Sequence, residues 1–341
     1  MKKLPVIILL LIPILAKTQN LAALYDEVKS SVVFIEILNL TTEGSGDDKT
    51  LVASAKQGSG VLISEDGLIW TASHVVQSAE VLGVQFLDGD IYEAKVLSTN
   101  PMADVALIKI KDSFLLKEKK VAPIGDSDRT KIGEDVFVIG APFGIKQSIT
   151  KGVLSGKHNL EKLNNSFVKA ELLQTDAAIN RGNSGGPMFN MKGEIIGITS
   201  SIYSESGAFN GIGFAISSNV AQKLLMESPN IWTGMESVVV SGDLAKALNL
   251  PQESGLLILS LSTQGVMSKL GLQGGTIPIT IKDAEIVIGG DIILSIAGIE
   301  IEDINFSELV KEKVKSYKKG EKIPLQFLRN GKIQVLHFVK E

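Results

Sequence analysis

The hexapeptide Gly182-Asn183-Ser184-Gly185-Gly186-Pro187 places a serine among three glycines. Glycine permits positive φ angles and a close approach of the backbone, so it can direct successive N–H groups into one pocket. Such a pocket can hold the oxyanion that develops when a serine hydroxyl attacks a carbonyl group. A glycine-rich surface turn has the same composition, and the hexapeptide alone fits both interpretations.

A serine nucleophile needs a base within hydrogen-bond reach. The chain has three histidines, His74, His158 and His337. His74 follows the apolar, strand-like run 67–73, which favours it as the base, although a histidine at the end of a strand is also a common structural residue. His158 lies in a polar segment and His337 in an alternating strand, so we interpret both as solvent-facing or packing residues.

The base in turn needs a carboxylate that fixes its tautomer and stabilises the imidazolium. Asp104 is the candidate, because it opens the apolar segment 104–110 and so lies at the mouth of a predicted buried strand. A turn or cap aspartate is the alternative. The chain order His74, Asp104, Ser184 is the order found in the two-barrel serine proteases.

Five sequence blocks extend this pattern along the chain. They are 58–76 (GSGVLISEDGLIWTASHVV), 103–110 (ADVALIKI), 124–156 (IGDSDRTKIGEDVFVIGAPFGIKQSITKGVLSG), 173–198 (LQTDAAINRGNSGGPMFNMKGEIIGI) and 211–216 (GIGFAI). In this order and spacing the chain resembles the HtrA (Deg) family of trypsin-like serine proteases, from about residue 20 to the C terminus. The resemblance implies His74 as general base, Asp104 as the residue that orients it and Ser184 as nucleophile. It implies an oxyanion hole formed by the backbone N–H groups of Gly182 and Ser184, and we group Asn183 with them.

The composition indicates a folded protein of about two domains, given 341 residues of which 44% are hydrophobic. The 34 basic and 38 acidic residues give a formal net charge of −4, which offers no basic field for nucleic acid. The chain has no cysteine, which excludes disulfides and thiolate metal sites, and it has no His-Glu-x-x-His motif. We therefore expect neither a metal ion nor a cofactor.

The N terminus has the pattern of a targeting segment. Lys2 and Lys3 precede the apolar run 4–16, which is too short to span a bilayer comfortably. Ile14 stands where a cleavable signal usually has a small residue, so residues 1–16 are either a signal peptide or an uncleaved anchor. We expect an exported, periplasmic protein, soluble or attached to the inner membrane.

The fold class implied by the resemblance is mainly β: a two-barrel, chymotrypsin-like serine protease domain followed by a circularly permuted PDZ domain. We place the protease domain at residues 20–228, with Asn20 capping a first helix and a surface loop over the polar segment 39–57. The predicted strands are 32–35, 61–63, 81–86 and 105–110 in the first barrel, and 136–139, 152–154, 195–201 and 212–216 in the second.

Residues 232–341 form the predicted PDZ domain. Strands are predicted at 234–240 and 255–261, a helix at 305–317 and a hairpin turn at Asn330-Gly331. PDZ domains bind a peptide C terminus by adding it as a strand and capturing its carboxylate in backbone N–H groups. The resemblance places the carboxylate loop at Trp232, Thr233, Gly234 and Met235, with a polar threonine where the family usually has an apolar residue. A packing module with an unused groove is the alternative, and the segment 273–290 is longer than in the commonest members.

The predicted function is hydrolysis of peptide bonds in misfolded or signal-bearing exported proteins. The resemblance implies that the strand Thr199-Ser200-Ser201-Ile202 pairs with the substrate backbone, and Ile202 suggests a small aliphatic preference beside the cleaved bond. Expected partners are unfolded or partly folded proteins, peptide C termini at the PDZ domain, and further copies of the chain in a homotrimer or larger assembly. A holdase chaperone or peptide-binding scaffold, with proteolysis secondary, is the alternative function.

Overall fold

The computed structural model describes residues 20–43, 50–111, 114–116, 118–141, 147–159, 170–202, 210–228, 230–281, 284–301 and 306–340. Two closed β-barrels occupy the first two thirds of the chain, and a separate sheet follows them. The prediction of a mainly β, two-barrel fold is confirmed. The predicted targeting segment lies outside the described residues.

The first barrel closes six antiparallel strands in the order β1-β2-β3-β6-β5-β4. These strands are β1 (Val32–Glu43), β2 (Thr50–Leu62), β3 (Leu68–Thr71), β4 (Val81–Gln85), β5 (Ile91–Asn100) and β6 (Val105–Ile110). β6 is apolar almost throughout because both of its faces are buried: Ala106 and Ile108 fill the barrel, while Val105 and Leu107 pack toward the second barrel. This strand therefore contributes side chains to two hydrophobic cores.

The predicted surface loop 39–57 is wrong for most of its length. β1 and β2 continue as a hairpin in which Asn39 pairs with Ser54 and Glu43 with Thr50. The segment lacks an apolar alternation because the hairpin extends beyond the barrel core: residues 53–57 are exposed, although Asn39 is buried. Only residues 44–49 of the predicted loop lie outside the described residues.

The second barrel closes six strands in the order β10-β11-β12-β9-β8-β7. They are β7 (Asp135–Gly140), β8 (Ser148–Asn159), β9 (Glu171–Thr175), β10 (Pro187–Asn190), β11 (Ile195–Ile202) and β12 (Gly213–Ser217). The four predicted strands are confirmed, whereas β9 and β10 were not predicted, because both are short and lie next to the glycine-rich loop. Phe137 and Phe189 stack between the barrels with ring centroids 5.2 Å apart.

The third sheet is built from residues after 230, in the order β13-β14-β17-β19-β20, with β18 paired to β17. Its strands are β13 (Met235–Ser241), β14 (Ser254–Leu261), β17 (Ile292–Ile296), β18 (Ile299–Glu300), β19 (Lys322–Arg329) and β20 (Lys332–Val339), while β15 (Ile277–Ile281) and β16 (Ala284–Ile288) form a separate hairpin inside the long segment 273–290. The hairpin at Asn330-Gly331 is confirmed, with φ angles of 51° and 72° that a type I′ turn requires.

The helices are short and lie at the margins of the sheets. They are α1 (Leu21–Val28), α2 (Ser73–Val76), α3 (Ser218–Gln222), α4 (Gly242–Ala247), α5 (Val266–Lys269) and α6 (Phe306–Ser316). The Asn20 cap is confirmed, because its side chain accepts a hydrogen bond from Ala22 N at 3.0 Å. Within the described ranges, no helix combines the length and apolar character needed to cross a bilayer.

Candidate active site

His74 lies in the first turn of α2, just after β3, and faces Asp104, which precedes the neighbouring strand β6. Its Nδ1 is 2.8 Å from Asp104 Oδ2 and 3.0 Å from Oδ1, and its backbone N donates to Oδ1 at 3.0 Å. Because a carboxylate only accepts, Nδ1 carries the proton and Nε2 keeps its lone pair. The imidazole can therefore act as a base through Nε2.

Asp104 is held in place by its backbone and by a third donor. It precedes β6 with a φ of 53°, the left-handed region that a residue with a side chain seldom adopts. Ser200 Oγ donates to Asp104 Oδ2 at 2.5 Å, from the second barrel. The carboxylate thus connects β11 of one barrel to α2 of the other.

The pKa of His74 reflects opposing influences. Burial in the cleft lowers the pKa, but the hydrogen bond and charge of Asp104 raise it, and the net shift is above the ordinary value. Two more distant charges act with opposite sign: Lys56 lowers the pKa and Glu236 raises it. Glu236 belongs to β13, so the third sheet contributes to the electrostatics of this histidine.

The loop before Ser184 forms a tight turn. Asn183 N donates to Asn180 O at 3.0 Å, and Gly182, the third residue of the turn, has a φ of 99°, as a type II turn requires. This hydrogen bond uses the Asn183 N–H, so grouping Asn183 with the oxyanion donors is wrong. The N–H groups of Gly182 and Ser184 have no hydrogen-bond partner among the described residues.

Ser59 of the first barrel anchors this loop, a role that the sequence did not reveal. Ser59 N donates to Ser184 O at 2.9 Å and Ser59 Oγ donates to Gly182 O at 2.7 Å. Gly185 lies so close to the same barrel that a Cβ atom would come within 2.2 Å of Thr71 Oγ1. The position of Ser59 inside the Gly58-Ser59-Gly60 run was the available signal.

The hydroxyl of Ser184 donates to the backbone O of Ser200 at 3.4 Å. Within the described residues it makes no hydrogen bond to His74. Attack on a carbonyl group would therefore require a rearrangement that brings the hydroxyl within hydrogen-bond reach of Nε2 of the imidazole.

The strand that was expected to pair with substrate has two roles. Thr199 N donates to Gly186 O at 2.9 Å and Thr199 O accepts from Gly185 N at 2.7 Å, so the Thr199 backbone holds the serine loop and is not open to substrate. The expectation for Thr199 is therefore wrong, whereas for Ser200, Ser201 and Ile202 it stays a prediction. The side chains of Ser201 and Ile202 lie outside the described part of the chain.

The predicted carboxylate loop leads into β13. Gly234 has a φ of 70°, and a Cβ atom there would come within 2.5 Å of Gly265 Cα, so this position needs glycine. Thr233 O accepts from Met267 N at 3.2 Å, and Trp232 Nε1 donates to Gln77 O at 2.9 Å. The loop therefore contacts the first barrel beside α2, the helix that carries His74.

Among the described residues, the acidic and histidine side chains do not form a metal site. In the ranges that the structure describes, no group of three or more His, Asp or Glu side chains is placed to hold a metal ion. His158 packs against Phe214 and is 2.7 Å from Gln174 Oε1 through its Nε2 atom, as expected for a packing residue.

The two barrels and the site between them define a trypsin-like peptidase domain, and residues 58–198 match the family model described as "Trypsin-like peptidase domain". Over a longer span the chain is 37% identical to a "Probable periplasmic serine endoprotease DegP-like" of Pseudomonas putida (strain GB-1), across 285 residues that make up 82% of this chain and 54% of the relative. The similarly named protein of Pseudomonas fulva (strain 12-X) is 39% identical over 241 residues, 69% of this chain and 49% of the relative. The chain thus spans about half the length of the curated relatives it matches.

Solved structures extend the similarity to the third sheet. The "HtrA-type protease AlgWS227A with decapeptide" superposes with a TM-score of 0.56 at 27% identity, covering 93% of this chain and 96% of the other. The "HtrA-type protease AlgW with tripeptide" gives a TM-score of 0.51 at 29% identity, covering 93% and 95%. The resemblance to the HtrA proteases is confirmed.

Proposed function

We propose that this chain is a serine endopeptidase with Ser184 as nucleophile, His74 as general base and Asp104 as the residue that orients the base. The observation that carries the proposal is the Asp104 carboxylate, which binds the imidazole Nδ1, the His74 backbone and the Ser200 hydroxyl at once. This arrangement leaves Nε2 as a base directed at the cleft.

The proposed reaction uses the geometry of the loop. Ser184 Oγ approaches Nε2, loses its proton to the imidazole and attacks the substrate carbonyl carbon. The oxyanion then accepts from the unpaired N–H groups of Gly182 and Ser184. The imidazolium, stabilised by Asp104, gives its proton to the leaving amine, and water activated by the same nitrogen releases the acyl group.

We also propose that the third sheet is a PDZ domain, residues 232–341, that binds peptide C termini along β13. β13 ends the order of the sheet, and among the described strands it pairs only with β14. α6 carries the half-buried side chains Val310 and Val314, which would suit an apolar ligand, while its Phe306 packs against the core of the third sheet. A peptide would add as a strand between β13 and α6.

The substrates we propose are misfolded or signal-bearing exported proteins. The relatives are named periplasmic endoproteases, and two related structures contain a decapeptide or a tripeptide. We propose a periplasmic location for this chain, soluble or attached by its N-terminal segment, and a homotrimer or larger assembly as the resemblance implies.

The test of the peptidase uses active-site labelling. A fluorophosphonate probe is expected to modify Ser184 of the wild-type chain, and casein cleavage is expected to vanish in Ser184→Ala. Ser54→Ala is the matched control, because Ser54 is an exposed serine of the β1–β2 hairpin. Full casein cleavage by purified Ser184→Ala would refute the assignment. Suppression of client aggregation by that variant would identify a chaperone activity.

A further inference from the structure

The backbone carbonyl of Met235, at the start of β13, faces the edge of the third sheet at which a peptide would pair. Gly234 O faces β14, because it accepts from Ser262 N at 2.8 Å. Successive carbonyls of an extended strand point to opposite sides, so Met235 O faces the open edge of the sheet. A peptide added to that edge would donate an N–H group to this carbonyl. In the structure the carbonyl already accepts from Gln77 Nε2 at 2.7 Å.

Gln77 comes from the first barrel, directly after α2, and its carboxamide is fixed. The residue is only 6% exposed. Its Oε1 is 3.0 Å from Ser73 Oγ, and its own backbone O accepts from Trp232 Nε1. Because a backbone carbonyl can only accept, the nitrogen of the carboxamide must be the atom that faces Met235.

Two carboxylates flank this contact and hold the same surfaces together. Glu236 Oε2 accepts from Lys56 Nζ at 3.0 Å and from Ser78 Oγ at 3.2 Å. Glu80 Oε2, from the first barrel, accepts from Thr263 N at 2.8 Å. The third sheet is thus docked on the first barrel by polar contacts that surround Gln77 and leave the start of β13 covered.

We propose that Gln77 is a built-in competitor for the peptide groove: its carboxamide takes the position of the ligand N–H at Met235, so docking on the barrel and full peptide binding exclude each other. The inference rests on the proposed peptide-binding function. A C-terminal peptide can pair at Met235 only after the third sheet withdraws from Gln77. Because Gln77 follows α2 directly, withdrawal also removes a contact from the helix that carries His74.

The test measures peptide affinity of the full chain in a Ser184→Ala background, which prevents cleavage of the probe. The probe is a pool of fluorescent decapeptides that end in Val, Leu, Ile or Phe with a free carboxylate, and the amidated pool serves as control. Gln77→Met keeps the side-chain size but cannot donate to Met235 O. Leaving that carbonyl unpaired in the docked state should tighten peptide binding roughly tenfold. Gln334→Met, an exposed position on β20, is the matched control with unchanged affinity.

A second readout follows undocking itself. The chain has two tryptophans, and Trp70 is fully buried in the core, so a change of emission reports Trp232. Peptide binding should shift this emission to the red as Trp232 leaves Gln77. Glu80→Gln weakens the same docking without touching Met235 and should also tighten binding, which keeps the test decisive if Gln77→Met folds poorly.

The outcomes separate the two proposals. Equal affinities of the wild-type, Gln77→Met and Glu80→Gln chains for the carboxylate pool would overturn the competition while peptide binding stands. Failure of the pool to bind any of the variants would overturn the peptide-binding function and the competition with it. The peptidase assignment is independent of both, because fluorophosphonate labelling tests it.

Discussion

At the scale of single residues, the site depends on side chains and glycines that join the two barrels. Ser200 reaches from β11 to the Asp104 carboxylate, and Ser59 reaches from β2 to the loop that carries Ser184. Gly185 permits the close approach that these hydrogen bonds need. The geometry of the proposed catalytic site is therefore a property of the contact between the barrels, and single changes at that contact should affect it.

Ser200→Ala is expected to lower kcat/KM while leaving the chain folded. The change removes one of the hydrogen bonds to the Asp104 carboxylate, and a hydrogen bond to a charged group is worth about 1.5–3 kcal/mol, which corresponds to roughly ten- to hundredfold in rate. Peptidase kinetics and the rate of fluorophosphonate labelling measure the effect. An unchanged rate in both assays would show that Ser200 does not position the carboxylate.

Gly185→Ala is expected to destabilise the chain more than Gly89→Ala. Both glycines have positive φ angles, 83° and 95°, but a Cβ atom at Gly185 meets Thr71 and Ser59, whereas at Gly89 it meets nothing within 4 Å. The backbone strain alone costs about 1–2 kcal/mol, and crowding raises the cost at Gly185 to roughly 2–5 kcal/mol. Thermal unfolding compares the two variants. Equal losses would contradict the close approach.

At the scale of elements, α1 shows how a short helix is fixed at the edge of the barrels. Its Val28 is buried, and Leu21, Leu24 and Tyr25 pack against the core between the barrels. An eight-residue helix is too short to be stable alone, so this packing and the N-cap determine whether it forms. The spacing of these residues and the identity of Asn20 are local features, and the sequence predicted both.

Asn20→Ala is expected to lower the free energy of unfolding by about 1 kcal/mol, because it removes the acceptor for Ala22 N. Asn20→Asp keeps a capping oxygen and should retain most of the stability. Urea unfolding of the three chains measures the difference. A loss of the same size in Asn20→Asp would indicate that the cap is not the cause.

At the scale of the whole molecule, the third sheet and the first barrel share one electrostatic environment. Glu236 of β13 and Lys56 of β2 form an ion pair beside α2, and both charges act on His74. The pKa of His74 is raised above its ordinary value, so the neutral base is lost as pH falls through that raised pKa. Activity should therefore decline on the acid side at a higher pH than an unperturbed histidine would impose.

Variants at the ion pair should shift this acid limb in opposite directions. Glu236→Gln removes a charge that raises the pKa of His74, so activity should extend to lower pH. Lys56→Met removes a charge that lowers it, so activity should be lost at higher pH. The pH dependence of kcat/KM measures both shifts. Because both variants break the same ion pair, shifts of one sign would indicate undocking of the third sheet as the cause.

Local patterns in the sequence accounted for much of the fold. The run Val105–Ile110 predicted a buried strand, and Asn330-Gly331 predicted the hairpin. Both features depend mainly on residues that are neighbours in the sequence. The β1–β2 extension was missed because strands that leave a core carry no alternation to reveal them. The role of Ser59 was missed because its place between two glycines indicates a close approach of the backbone but does not identify the partner, which lies 123 residues away along the chain.

The sequence by itself determined the class of fold and the three residues proposed for catalysis, since motif order and spacing are properties of the chain. Only the tertiary structure decided that Asn183 closes a turn, that Thr199 holds the serine loop and that Gln77 covers Met235. These facts depend on which backbone groups remain unpaired after folding. The contacts of Thr199 and Gln77 join residues that are far apart along the chain, so no local pattern predicts them.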